Sequence, residues 1–118
     1  RLMFSARSTT VYLAREPADM RKGHDGLFAL VRQLDLDPFT GHLFVFLNRR
    51  RNRVKVLFMT RGGFSLLYKR LEKSAFFLPP FPEDSDRVKL SRSELSLLLE
   101  GLDPFRAPSI QAWEPPAA

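Results

Sequence analysis

Three short apolar runs, Leu43–Leu47, Val54–Met59 and Phe64–Leu71, crowd the stretch between His42 and Glu72 and leave the chain few folds to choose from. Two breaks separate them, Asn48-Arg49-Arg50-Arg51-Asn52-Arg53 and Thr60-Arg61-Gly62-Gly63. Runs this short, rich in Val, Phe, Leu and Tyr and bounded by Asn or Gly, read as strands joined by hairpins. The spacing therefore predicts a three-stranded antiparallel meander. In the first run Leu43, Val45 and Leu47 share one face, and Phe44 and Phe46 share the other. A strand apolar on both faces is central and covered twice. In the second, Val54, Val56 and Phe58 oppose Lys55, Leu57 and Met59; in the third, Phe64, Leu66 and Tyr68 oppose Ser65, Leu67 and Lys69. The Asn48–Arg53 loop is too long for a two-residue primed turn and is expected to be mobile.

The flanking sequence supplies partners for such a sheet. Thr9–Ala14 reads as a strand ended by Pro17, which cannot donate to a ladder. Leu27, Leu30, Val31 and Leu34 fall on one helical face, predicting a helix over 24–34. Asp19 or Asp25 is the expected cap or first-turn carboxylate, and Asp35-Leu36-Asp37-Pro38 the stop. Lys73–Leu78 is read as a fourth strand or edge extension, cut off by Pro79 and Pro80, and Arg87–Leu90 as a short strand. Ser91 and Glu94 form a capping box ahead of the stripe Leu95, Leu98, Leu99 and Leu102, predicting a helix over 92–100 that Gly101 ends in a left-handed conformation. Residues 1–8 are expected to fray, with Met3 the expected natural start. Residues 104–118, with Trp113, are expected to run as an extended Pro-rich tail. The fold class is α+β: a single domain over 1–118, mainly an antiparallel meander packed with two short helices. A chain of 118 residues can bury a core for one such domain without metal or disulfide help.

Charge singles out the meander. Between Leu47 and Lys73 stand nine Lys or Arg and one acid, Glu72, for a net +8; the rest holds ten basic and twelve acidic residues, net −2. A surface so one-sided points to an anionic partner, nucleic acid first. Arginine forks match phosphate oxygens two at a time. The candidate nucleic-acid contacts are Arg49, Arg50, Arg51, Arg53, Lys55, Lys69 and Arg70, extended by Arg21 and Lys22. A solvated basic hairpin and a dock for an acidic protein are the competing readings.

Other chemistries have less to stand on. The absence of Cys excludes disulfides, thiolate metal sites and thiol nucleophiles. No glycine-rich phosphate loop and no G-x-S-x-G occurs. Asp19, Asp25, His24 and His42 could form a metal-dependent nuclease site, but the two aspartates are six apart and do not converge on one helical face. Phe44, Phe46 and Phe64 could stack nucleic-acid bases, although strand spacing makes them core. No catalytic residue, metal or cofactor is expected. No apolar run approaches a membrane span and no secretory leader is visible, so the expected location is the cytoplasm.

Several spaced blocks carry a resemblance. Asp19-Met20-Arg21-Lys22-Gly23-His24-Asp25-Gly26-Leu27 resembles the DMRKG-x-DGL signature of the TnpB-type accessory protein of the insertion-sequence class numbered sixty-six, which is unrelated to the RNA-guided nuclease of the same letters. Gly41–Arg50, Lys55-Val56-Leu57, Gly63-Phe64, Lys69-Arg70-Leu71-Glu72 and Leu98–Asp103 are similar to its later blocks, so the resemblance spans roughly 10–103. The chain departs from the pattern at Met59-Thr60, where the family has Trp-Asp, and at Lys73-Ser74, where it has Gly. The resemblance implies a part in transposition beside a catalytic transposase and a second small accessory protein. The expected function is that of a non-catalytic accessory binding DNA through the basic hairpin. The alternative is an adapter that docks on the transposase without touching DNA.

Overall fold

Apolar runs of period two and stripes of period 3.6 fall in this chain where a computed structural model, describing residues 9–103, places strands and helices. The order is β1 (Val11–Ala14), α1 (His24–Gln33), a 3-10 turn (Pro38–Thr40), β2 (Leu43–Leu47), β3 (Arg53–Thr60), β4 (Gly63–Arg70), β5 (Arg87–Leu90) and α2 (Arg92–Leu99). The expected frayed start at 1–8 and the Pro-rich tail at 104–118 lie outside the described residues.

The meander forms as its pattern requires. β2, β3 and β4 pair antiparallel, with Val45 opposite Val56 and Leu57 opposite Leu66. One sheet holds all five strands in the order β4-β3-β2-β1-β5. β1 lies parallel to β2, with Tyr12 beside Phe44, and β5 runs antiparallel to β1. The α+β class holds, and the sheet is mixed. The parallel pair is possible because the chain between β1 and β2 is long enough to carry a helical crossover.

All five residues of β2 are buried, as a strand apolar on both faces should be. On one face Leu43, Val45, Leu47, Val54, Val56 and Phe58 pack with Leu95 and Leu98 of α2. On the other, Phe44, Phe46 and Leu57 pack with Leu27 and Val31 of α1. Phe44 and Phe46 are thus core, and no base can reach them.

The helix ends follow local chemistry. The Ser91 hydroxyl accepts from Glu94 N at 3.0 Å, and Ser91 N donates to Glu94 Oε1 at 2.7 Å, completing the capping box. Gly101, at φ +81°, ends α2 in a Schellman arrangement: Leu102 N donates to Leu97 O and Gly101 N to Leu98 O. At the start of α1 Asp25 is the expected first-turn carboxylate, and Gly23 is the N-cap with no side-chain cap, while Asp19 bonds Arg21 instead. The 73–78 segment differs from expectation, forming no strand. Phe76 is buried in the core, and its N–H donates to Arg51 O instead of to a ladder.

Candidate nucleic-acid interface

Topology gathers charge at one end of the sheet. Because β1 and β2 are parallel, Arg15 and Asn48 leave them at the same end. β3 runs antiparallel to β2 and begins there at Arg53; β4 ends there at Arg70. Arg61, in the β3–β4 turn, lies at the opposite end. The crevice outside the carboxyl ends of parallel strands is a recurrent ligand site in open sheets. Here it receives the Asn48–Arg53 loop and the 15–23 segment. Ala18 N donates to Leu47 O at 2.8 Å and holds that segment against the end of β2.

Between the two segments lies an open groove of about 500 Å³, lined by Asp19, Arg21, Arg49, Arg50 and Arg53 with Ala18, Met20, Asn48 and Asn52. Four of the expected arginines therefore meet on one surface although up to 32 positions separate them in sequence. A second depression of about 350 Å³ on the other side of the loop is lined by Arg15, Arg49 and Arg51 with Glu16.

The loop is a built turn and not the mobile element that its length suggested. Asn48 Oδ1 accepts from Asn52 N at 3.0 Å and Arg53 N at 2.9 Å, and Asn48 Nδ2 donates to Asn52 Oδ1 at 2.7 Å. Arg51 N closes onto Asn48 O at 3.0 Å, with Arg51 at φ +60°. From outside, Leu71 N donates to Asn52 O at 2.8 Å and Phe76 N to Arg51 O. These bonds hold the backbone while the Arg49, Arg50 and Arg51 side chains stay exposed.

Arg21 is aimed by Asp19. Its Nε lies 3.1 Å from both carboxylate oxygens and its Nη2 2.7 Å from Oδ2, and Arg21 N donates to Asp19 Oδ1 at 2.9 Å. These bonds lower the Asp19 pKa from 3.8 to about 2, the side-chain bond from Arg21 contributing most and its backbone N–H next. The Asp19 carboxylate in turn raises the Arg21 pKa. One edge of the guanidinium is used, and the edge bearing Nη1 remains for an anion.

Arg53 is half-buried, and its Nε is buried with no hydrogen-bond partner among the described residues. Arg70 stands directly opposite Arg53 in register and pairs with Glu72 at 3.1 Å. Lys22 is half-buried beside Arg21.

Two expected contacts are placed elsewhere. Lys55, expected at phosphate, is 8% exposed, and its Nζ donates to Met20 O at 2.8 Å and Lys22 O at 2.7 Å. Its ammonium also lies 5.1 Å from the Tyr68 ring centroid. Strand alternation turns it inward, and the 19–23 segment closes over it. Lys55 therefore fixes the backbone that presents Arg21, and it does not face solvent. Lys69 is exposed on the other sheet face, where Nζ donates to Leu99 O at 2.6 Å and satisfies a carbonyl at the C-terminus of α2.

Three of the four residues weighed for a metal-dependent nuclease have other partners or places in the fold. His42 Nδ1 accepts from Thr10 N at 3.0 Å and packs edge-on to Tyr12, so it fixes the start of β1. Asp19 is held by Arg21 and Asp25 by its place in α1. Sequence reading missed Asn48 as the organiser of the loop and Tyr68 as an exposed ring beside it. The Asn48…Asn52 spacing around an arginine run was the available signal for the first.

No helix among the described residues is long and apolar enough to cross a membrane. The family model described as IS66 Orf2 like protein matches residues 9–108. The chain is 36% identical over 99 residues to Uncharacterized protein y4jC of Sinorhizobium fredii, covering 83% of each chain. It is 34% identical over 112 residues to Uncharacterized protein y4hO of the same organism, covering 94% of each. No solved structure matches the chain.

Proposed function

The chain belongs to the IS66 Orf2-like family, which ties it to transposition, and from that premise we propose that it is a non-catalytic accessory that grips the DNA backbone in the arginine groove. One observation carries this reading: Arg21, Arg49, Arg50 and Arg53, brought together from two segments, line a single groove. Among the described residues Asp19 is the one acid lining it, and it orients Arg21. The unpartnered Arg53 Nε points the same way, since a buried donor calls for an acceptor. Arg51, Arg70 and Lys22 extend the patch at its rim. The groove holds phosphate without base-edge readout, so it supplies affinity and position more than sequence choice.

The test is DNA binding by Arg49→Ala, Arg50→Ala, Arg51→Ala and Arg53→Ala combined. The loop backbone is held by Asn48 and by main-chain bonds that these changes leave in place. Binding should fall while the melting temperature holds, and unchanged affinity in a folded variant refutes the assignment.

A second reading, an adapter docking on the transposase, has its own observation. Phe39 is 53% exposed and forms a three-ring cluster with Phe28 and Phe64, centroids 5.3–5.4 Å apart. Phe64 is the second residue of β4 and so lies at the far end of that strand from Arg70. An aromatic cluster with Phe39 exposed fits a protein partner and needs no DNA contact. Replacing Phe39 by Ser should abolish a transposase complex. Retention of the complex removes the adapter surface.

A further inference from the structure

Alternation along the strands puts Arg53 and Lys55 of β3 on the α1 side of the sheet, directly opposite Arg70 and Tyr68 of β4. A tyrosine is thereby set among cations at the end of the sheet that carries the groove. Lys55 Nζ lies 5.1 Å from the ring centroid, so a cation covers one side of the ring. The residue is nonetheless 51% exposed, and among the described large hydrophobic residues only Phe39 is more so. Phe39 sits with Phe28 and Phe64, whereas Phe44 and Phe46 are core. Tyr68 is therefore the open ring beside the arginines.

Its backing is fixed. The ammonium beneath it is held by Met20 O and Lys22 O, the same segment that presents Arg21 to the groove. A stacking surface gains affinity when its ring is already oriented, because less side-chain freedom is lost on binding. A cation against one face also draws electron density from the other, which suits an electron-rich base.

Duplex DNA keeps its base faces inside the stack; an unpaired strand exposes them. Proteins that hold single strands combine a cationic track for phosphates with aromatic rings on which bases stack. Resting on the DNA-binding reading above, we propose that this interface takes unpaired DNA, with Tyr68 stacking on one base while Arg53, Arg70 and Arg21 hold the flanking phosphates.

Fluorescence anisotropy of the full chain, with a labelled oligothymidine single strand and a hairpin duplex at one salt concentration, tests this. The wild type should bind the single strand more tightly. Tyr68→Leu, which keeps apolar bulk over Lys55, should weaken single-strand binding roughly tenfold and leave the duplex within about twofold, whereas Tyr68→Phe should match the wild type. Equal loss on both forms, or no loss in a folded Tyr68→Leu variant, overturns the stacking role and leaves the arginine groove standing. Binding to neither form removes both readings, and tighter binding of poly-glutamate than of either DNA overturns the proposal in favour of an acidic protein. Photocrosslinking of the unsubstituted protein to a bromouracil single strand is independent of any folding defect. The adduct should map to Tyr68, and adducts confined to other segments overturn the proposal.

Discussion

Replacing Lys55 by Met should destabilise the protein more than any other single removal of positive charge at this end of the sheet. Lys55 Nζ makes two hydrogen bonds to backbone carbonyls, at 2.7 and 2.8 Å, from a side chain only 8% exposed. Hydrogen bonds to charged groups contribute about 1.5–3 kcal/mol each, and losing the donor leaves two carbonyls without it. The contact with the Tyr68 ring adds about 0.5–1 kcal/mol. Opposing these, methionine removes the cost of burying an ammonium and retains the apolar stem. Met20 and Lys22 are half-exposed, so water can partly reach their carbonyls. The balance is a loss of about 3 kcal/mol. For 118 residues the unfolding entropy is roughly 0.25 kcal/mol/K, so the melting temperature should drop by about 12 °C. Differential scanning calorimetry or urea denaturation reads this directly. Lys69→Met is the control: Lys69 is exposed and bonds only the end of α2, so its removal should cost under about 1 kcal/mol. A Lys55→Met protein within about 0.5 kcal/mol of wild type, or a larger loss in Lys69→Met, would refute the reasoning that Lys55 is a structural cation.

Two further outcomes are open to measurement. Asn48→Ala removes three side-chain bonds that close the loop and should cost about 2–3 kcal/mol, with faster hydrogen exchange at the Asn52 and Arg53 amides; unchanged exchange at both contradicts the turn described. Asp19 should titrate near pH 2 in a carboxyl-carbon NMR experiment and return toward 3.8 in Arg21→Ala. Because the folded value is the lower one, the pair's contribution is fully present above pH 3.8 and disappears as the pH falls through about 2; a wild-type midpoint near 3.8 contradicts the pairing.

Local patterns made much of this fold readable. The two-faced apolar run at Leu43–Leu47 identified the central strand, and the meander and both helices followed from period and punctuation. Ser91, Glu94 and Gly101 act as their local chemistry dictates. What stayed hidden depends on contacts distant in sequence. Nothing local places β1 parallel to β2, because that pairing is set by a crossover of nearly thirty residues. Lys55 read as a surface cation because the Met20 and Lys22 carbonyls that hold it lie 35 and 33 positions away. The Asn48–Arg53 loop read as mobile because part of its anchoring comes from Leu71 and Phe76. The arginine cluster was visible as composition, with Arg21 expected to extend it, but the groove that joins them was not, since it requires the parallel pair.

The central claim, that this groove neutralises DNA phosphates, is most directly tested by the salt dependence of binding. Affinity for a short duplex, measured across a range of monovalent salt, gives a slope of log affinity against log salt. Four groove arginines on phosphates predict a slope of roughly −3.6 for the wild type. The variant lacking Arg49, Arg50, Arg51 and Arg53 should lose most of that slope while keeping its melting temperature. A wild-type slope near zero, or an equally steep slope in the folded variant, would contradict the account.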